Sequence, residues 1–329
     1  MWENYKEQAG NAAAGFDLVN GRGYLYATKT TKTLTFTGEF NLGTSKELSG
    51  LPTGYNLVGN PFVVDAYVNK PYYTLNSDGS SIVAKNSNED QRIAPCYGVI
   101  VEVIGSENVI FNTTGQFSAG PNNGGLQVAL TQANTRSNTV MDNAIVSFNE
   151  GSELGKFYFG EQNANIYLPQ NGKDYAIAFS EGQGEMPVNF KAKKNGSYTI
   201  TVNPEGVEMA YLHLIDNIAG QDVDLLAHPS YTFNARRDDY ASRFKLVFRA
   251  NQNDNDNENE NFGFISNGNL MILGIEGKAT LQIIDVTGRI LSTETFYGNY
   301  NKAVNAKAGL YMLRLIQGEN VRTQKIVVR

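Results

Sequence analysis

Few residues in this chain could do covalent chemistry. Its 329 residues hold two histidines, His213 and His228, and one cysteine, Cys96, so any Ser-His-Asp or Cys-His arrangement must use His213 or His228. His213 stands in the middle of Tyr211-Leu212-His213-Leu214-Ile215 and reads as a satisfied sheet histidine. His228 precedes Pro229 in a turn before a strand signal and reads as a solvated loop residue. Cys96, in Ala-Pro-Cys-Tyr-Gly-Val-Ile-Val, reads as a small apolar residue at the start of a buried strand. A single cysteine forms no intrachain disulfide, and without a histidine pair or a cysteine cluster a zinc site is not expected.

Three weaker patterns fail on spacing. Asp174, Glu181 and Glu185 could supply the paired carboxylates of a glycosidase, but nothing in their spacing selects two of them. Gly151-Ser152-Glu153-Leu154-Gly155-Lys156-Phe157 places Phe157 where a phosphate loop needs Ser or Thr to reach a metal. Asp254, Asp256 and Glu258 alternate like calcium ligands, yet the glycine and bidentate glutamate positions of such a loop hold Asn259 and Ile265. A chain with no catalytic, cofactor or metal site is expected. Binding is the remaining chemistry. Tyr72 and Tyr73 follow Pro71, and Tyr297 and Tyr300 flank Gly298-Asn299. Exposed rings of this kind can stack on sugar faces, which makes Tyr72 and Tyr73 candidate glycan contacts; the plainer reading has them capping core edges.

The elements that would position these residues read as strands. The 18 Tyr and 17 Phe, with plentiful Val, Ile and Thr, favour a pleated surface, and 33 glycines supply turns. Strand signals recur at short intervals: 23–27, 33–38 (where Leu34 and Phe36 alternate with threonines), 54–59 ending at Asn60-Pro61, and 98–104. Beyond a Gly- and Asn-rich stretch at 118–125 they continue at 144–148, 175–179, 187–192, 197–202, 211–216, 231–233 and 243–248. No helical period separates them. The fold class expected is all-β: antiparallel β-sandwiches, jelly-roll-like or Ig-like, with a small sandwich at the C-terminus.

Residues 251–262 are almost wholly Asn, Asp and Glu, and read as a flexible acidic tether. They separate the sandwich regions at 1–125 and 126–250, which form two sandwiches or one fused body, from a compact module at 263–329. That module carries eight basic against four acidic residues, +4, which leaves −10 of the net −6 for the rest. An acidic body repels phosphate backbones, and the module's cations are spread along strands, so nucleic-acid binding is not expected. No run approaches the ~20 apolar residues that span a bilayer. One internal echo stands out. Leu212–Asp216 leads through Gly220 to Asp222–Leu225, and Leu281–Asp285 leads through Gly288 to Arg289–Leu291. Each aspartate can accept turn N–H groups, and each glycine can take positive φ.

The last residues resemble the type A C-terminal sorting domain of type IX secretion cargo. The resemblance rests on Leu281–Asp285 followed by Gly288-Arg289, then Gly309-Leu310-Tyr311-Met312-Leu313-Arg314-Leu315, then the terminal Lys325-Ile326-Val327-Val328-Arg329. The regions around 16–62 and 142–248 resemble the β-sandwiches that precede this domain in such cargo. The resemblance implies a seven-stranded Ig-like tail and places the sorting signal on Asp285, Gly288, Arg289, Gly309, Tyr311, Leu313, Leu315, Lys325, Ile326, Val327, Val328 and Arg329. It implies the outer-membrane type IX translocon as partner, with the cargo exported through the periplasm and then released or attached to surface lipopolysaccharide. It further implies a tail cut near the tether and a signal peptide on a longer precursor, since Met1–Gln8 has no basic segment before an apolar one. A monomer is expected, with adhesive or structural sandwiches. The alternative is a carbohydrate-binding accessory module of a larger secreted hydrolase, with a glycan or protein ligand.

Overall fold

The computed structural model describes residues 18–26, 29–31, 33–35, 37–76, 79, 81–87, 91–115, 124–133, 139–158, 162–251, 262–266 and 268–328. Every regular element among them is a strand. The acidic tether lies outside the described residues, apart from Asn251 and Phe262, and so does Arg329.

Two compact units divide the chain, Met1–Asn76 with Ala84–Ala119, and Ser77–Val83 with Gly120–Arg329. The first contains β1 (Ser45–Leu48), β2 (Gly54–Gly59), β3 (Tyr67–Val68), β4 (Tyr72–Leu75), β5 (Ile82–Lys85, which straddles the division), β6 (Gly98–Val103) and β7 (Val109–Asn112). They form two sheets, β1-β7-β3 and β2-β6-β4-β5, over a core of Val58, Phe62, Val68, Tyr72, Val99, Val101 and Phe111. As the proline requires, β2 stops at Gly59; the Asn60 amide then donates to the carbonyls of Val64 and Ile93 at 2.9 and 2.8 Å.

Three sequence expectations for this unit need correction. The described residues of 23–27 and 33–38 are not strands, and Leu25, Tyr26 and Leu34 are exposed. Alternation makes a strand only where a partner edge is available, and among the described residues of these stretches the contact with a sheet is confined to the bridge of Arg22 with Val58 and the Gly23 N–H bond to the Leu57 carbonyl. Cys96 is exposed, in a turn at φ 65° just before β6, because the apolar run enters the sheet two residues later.

The second unit begins with β8 (Gly125–Gln132), β9 (Asp142–Ser147), β10 (Leu154–Gly155), β11 (Ala164–Gln170), β12 (Lys173–Phe179), β13 (Gln183–Ala192), β14 (Gly196–Glu205), β15 (Met209–Asp216), β16 (Gln221–Asp224), β17 (Ser230–Ala235) and β18 (Phe244–Ala250). Their order is β16-β15-β18-β13-β11-β12-β9-β8-β14-β17, with β10 on β12. The sheet turns a corner within β11, whose first half pairs with β13 and whose last three residues pair with β12. Residues from both arms, among them Val128, Val188, Phe190, Tyr198, Phe233, Leu246 and Phe248, then share one core. The pairing is antiparallel except for β9 with β12, which run parallel because the chain crosses over through β10 and β11 between them.

The last seven strands are β19 (Gly263–Ser266), β20 (Asn269–Ile272), β21 (Lys278–Asp285), β22 (Ile290–Tyr297), β23 (Tyr300–Ala303), β24 (Gly309–Gln317) and β25 (Asn320–Val328). They make two sheets, β19-β20-β23 and β22-β21-β24-β25, and among the described residues pair with no strand outside the module. Phe262, Leu270, Ile272, Leu281, Tyr300, Leu313 and Leu315 fill the space between the sheets. The module is an all-β sandwich with its own core.

Candidate functional site

The hairpin between β21 and β22 is built on one carboxylate. Asp285 Oδ1 accepts from the Thr287 hydroxyl at 2.6 Å and from the N–H groups of Thr287 and Arg289 at 3.0 and 3.1 Å. Its Oδ2 accepts from Arg289 Nε at 3.1 Å. The Thr287 hydroxyl, then the Arg289 and Thr287 amides and the guanidinium, hold this carboxyl below its ordinary value against some desolvation. Gly288 sits at φ 85°, where a side chain is strained, and donates to the Asp285 carbonyl at 3.0 Å. These bonds close the turn, and the Arg289 side chain is 75% exposed.

Beside the hairpin, alternation divides β24 and β25 cleanly between two faces. Leu313 and Leu315 are buried in the core, with Tyr311 partly buried beside them. Leu310, Met312, Arg314, Lys325 and Val327 face outward. Across the sheet Ile290 lies opposite Ile284, Ile284 opposite Met312, and Leu310 opposite Val327. The outer face therefore carries an apolar band edged by Lys325 and Arg314. Gly309 opens β24, and the Tyr311 hydroxyl donates to the Lys307 carbonyl at 2.8 Å, closing the loop before it.

One residue that sequence reasoning missed closes the module. Gln324 points inward from β25; its Oε1 accepts from the N–H groups of Phe262 and Gly263 at 2.7 and 2.8 Å, and its Nε2 donates to the Gly263 carbonyl at 2.6 Å. This side chain ties the last strand to the first, across the two sheets. The only signal in the sequence is a glutamine at an inward position of an alternating strand.

The other candidates are dispersed. Tyr72 is buried in the core and donates to the Gln91 carbonyl at 3.2 Å; burial pushes its phenol up to about 12. Tyr73 is equally buried and lies edge-on to Tyr55 at 6.4 Å. Neither ring offers a stacking face, because β4 lies in a sheet interior rather than in a loop. Tyr297 is exposed, while Tyr300 is buried against Phe296. His213 stacks on Tyr211 at 4.1 Å and meets Asp222 Oδ1 at 2.6 Å through Nδ1, as a satisfied sheet histidine does. Glu185 is paired with Lys245 at 2.9 Å, and Asp174 and Glu185 lie on β12 and β13, with β11 between them. No metal-holding cluster of acidic, histidine or cysteine side chains occurs among the described residues.

Two buried ion pairs hold the body. Lys156 meets Asp142 at 2.6 Å with both side chains 1% exposed, and Asp142 Oδ2 also accepts from the Ile166 N–H at 2.9 Å. Burial pushes the Lys156 ammonium down, and Asp142 offsets only part of that. In the second pair Arg243 binds Asp216 in bidentate fashion at 3.0 and 2.8 Å and lies over the Phe233 ring at 4.5 Å. These charges are saturated by partners and brace the sandwich.

Fold and site together define a β-sandwich protein whose C-terminal sandwich has its own sheets, a hydrogen-bonded charged hairpin and a partly apolar outer face. Residues 266–329 match the family model described as secretion system C-terminal sorting domain, the type IX secretion signal. The chain is therefore cargo for type IX export, delivered to the surface or the medium. No curated protein and no solved structure matches it. No helix among the described residues is long and apolar enough to cross a membrane, which says nothing of a β-barrel.

Proposed function

We propose that the chain is a non-enzymatic cargo segment whose sandwiches are structural or adhesive and whose last seven strands are read by the type IX translocon. The observation that carries this is the segregation of the sorting domain into its own two sheets. A three-strand sheet ordered first, second, fifth, facing a four-strand sheet ordered fourth, third, sixth, seventh, supports an Ig-like reading of the module. The translocon meets the outer face of the four-strand sheet, where Arg314, Lys325 and Arg289 surround the apolar band of Ile290, Met312 and Val327. Passage runs through the periplasm to the outer-membrane surface. The saturation of His213, Glu185, Lys156 and Arg243 by structural partners supports a non-enzymatic body.

Deleting Gly309–Arg329 removes two of the four strands of that sheet. Cell fractionation of a type IX-competent host should then find the truncated chain in the periplasm. Normal surface delivery of the truncation would refute the proposal.

A further inference from the structure

The three-strand face of the sorting module is already occupied, and its partner is the body of the same chain. Along β20, Leu270 and Ile272 face the module's core, whereas Met271 and the following Leu273 face away from it and are nonetheless buried. They meet Val247 on β18, with Tyr211 and Ile215 of β15 and Phe264 of β19 around them. Phe264 lies directly across from Met271 in the β19–β20 pair, so the two form one apolar patch.

Val247 shows that the contact is built into the body. Phe244, Leu246 and Phe248 point into the sandwich, so Val247 shares the outer face with Lys245 and Arg249, where a charged or polar residue would be ordinary. It is 4% exposed because the module covers it. Polar groups rim the patch. The Arg249 guanidinium donates to the Leu273 carbonyl, and the Glu185–Lys245 pair flanks Val247 along the sheet. The approach is close. A Cβ on Gly274 would lie 3.3 Å from Ala210 Cβ, and Gly274 sits at φ 67°.

We infer that the outer face of β15 and β18 is a docking surface for the sorting module, and that this contact holds the two together without the tether. Cutting the tether alone then leaves the module on the body; release requires the Val247–Met271 contact to open as well. The inference does not depend on export, since it concerns two parts of one folded chain.

The test places a site-specific protease sequence within 252–261 of the full chain, cuts it to completion, and passes the product through size exclusion. The cut chain should elute as one species containing both fragments, and Val247→Lys should split it into two. Lys at position 247 would join Lys245 and Arg249 on the same face, so the sheet tolerates it once exposed. Met271→Lys reads the same contact from the module's side should the first variant aggregate. Separate elution of the cut unmutated chain overturns the inference. Continued co-elution of both variants overturns it too, since something other than this patch would then be holding the fragments.

Discussion

The body and the sorting module each turn a hairpin on an aspartate at a strand end, and the two aspartates live in opposite surroundings. Asp216 closes the turn between β15 and β16 by accepting from the N–H groups of Ile218 and Ala219 at 3.0 and 3.1 Å, with Gly220 at φ 64°. Asp285 does the same for Thr287 and Arg289, with Gly288 at φ 85°. The arginine differs. Arg243 reaches Asp216 from the turn before the neighbouring strand β18, 27 residues on in sequence, with both side chains almost fully buried, whereas Arg289 comes from within the turn and is 75% exposed. Shared local chemistry makes both turns, and burial decides whether the ion pair is enclosed in the fold or left in solvent.

The largest effect should come from breaking the buried pair. Removing Asp216 or Arg243 strands an uncompensated charge, so Asp216→Ala should cost the chain about 3–5 kcal/mol in urea unfolding. Burial alone would raise the Asp216 carboxyl, but Arg243, the Ala219 amide and the Tyr231 hydroxyl hold it below its ordinary value of 3.8. A depressed carboxylate contributes stability above its unfolded value and loses it as pH falls through the folded one. The difference between Asp216→Ala and the unmutated chain should therefore be full near neutrality and shrink in acid below that ordinary value. A difference that persists unchanged into strong acid would count against the ion pair as its source.

A smaller loss is expected for Gln324→Leu, which leaves two N–H groups and one carbonyl near Phe262 and Gly263 without partners. About 2–3 kcal/mol should go from the module, and amide exchange at those two residues should accelerate. Unchanged exchange there would remove Gln324 as the link between first and last strands. The smallest stability effect belongs to Asp285→Ala. Its turn is solvated, so the module's unfolding midpoint should barely move while surface delivery falls. An Asp285→Ala chain that unfolds as readily as Asp216→Ala would erase the contrast between the two hairpins.

Much of this contrast was legible in the residues, and the limits are physical. The aspartate-to-glycine spacing announced both hairpins, and alternation placed Leu313 and Leu315 opposite Met312 and Arg314. Burial was not legible, because it depends on what crosses over from elsewhere: nothing near Asp216 in sequence announces Arg243, and nothing near Val247 announces Met271. Tyr72 and Tyr73, beside a proline, read either as exposed loop rings or, more plainly, as rings capping a core edge, and their strand lies inside a sheet with both rings buried. Leu34, in a stretch with the strand period, lies outside any strand and is exposed. Gln324 drew no notice in the sequence, because its three partners come from Phe262 and Gly263 at the far end of the module.

The most direct test attaches residues 263–329 to a reporter that carries an inner-membrane signal peptide and follows it by fractionating a type IX-competent host. The module, with both sheets intact and Phe262 retained ahead of residue 263 to complete its core, should carry the reporter to the surface or the medium. A folded reporter fusion that stays in the periplasm would contradict the claim that these seven strands hold a complete export signal.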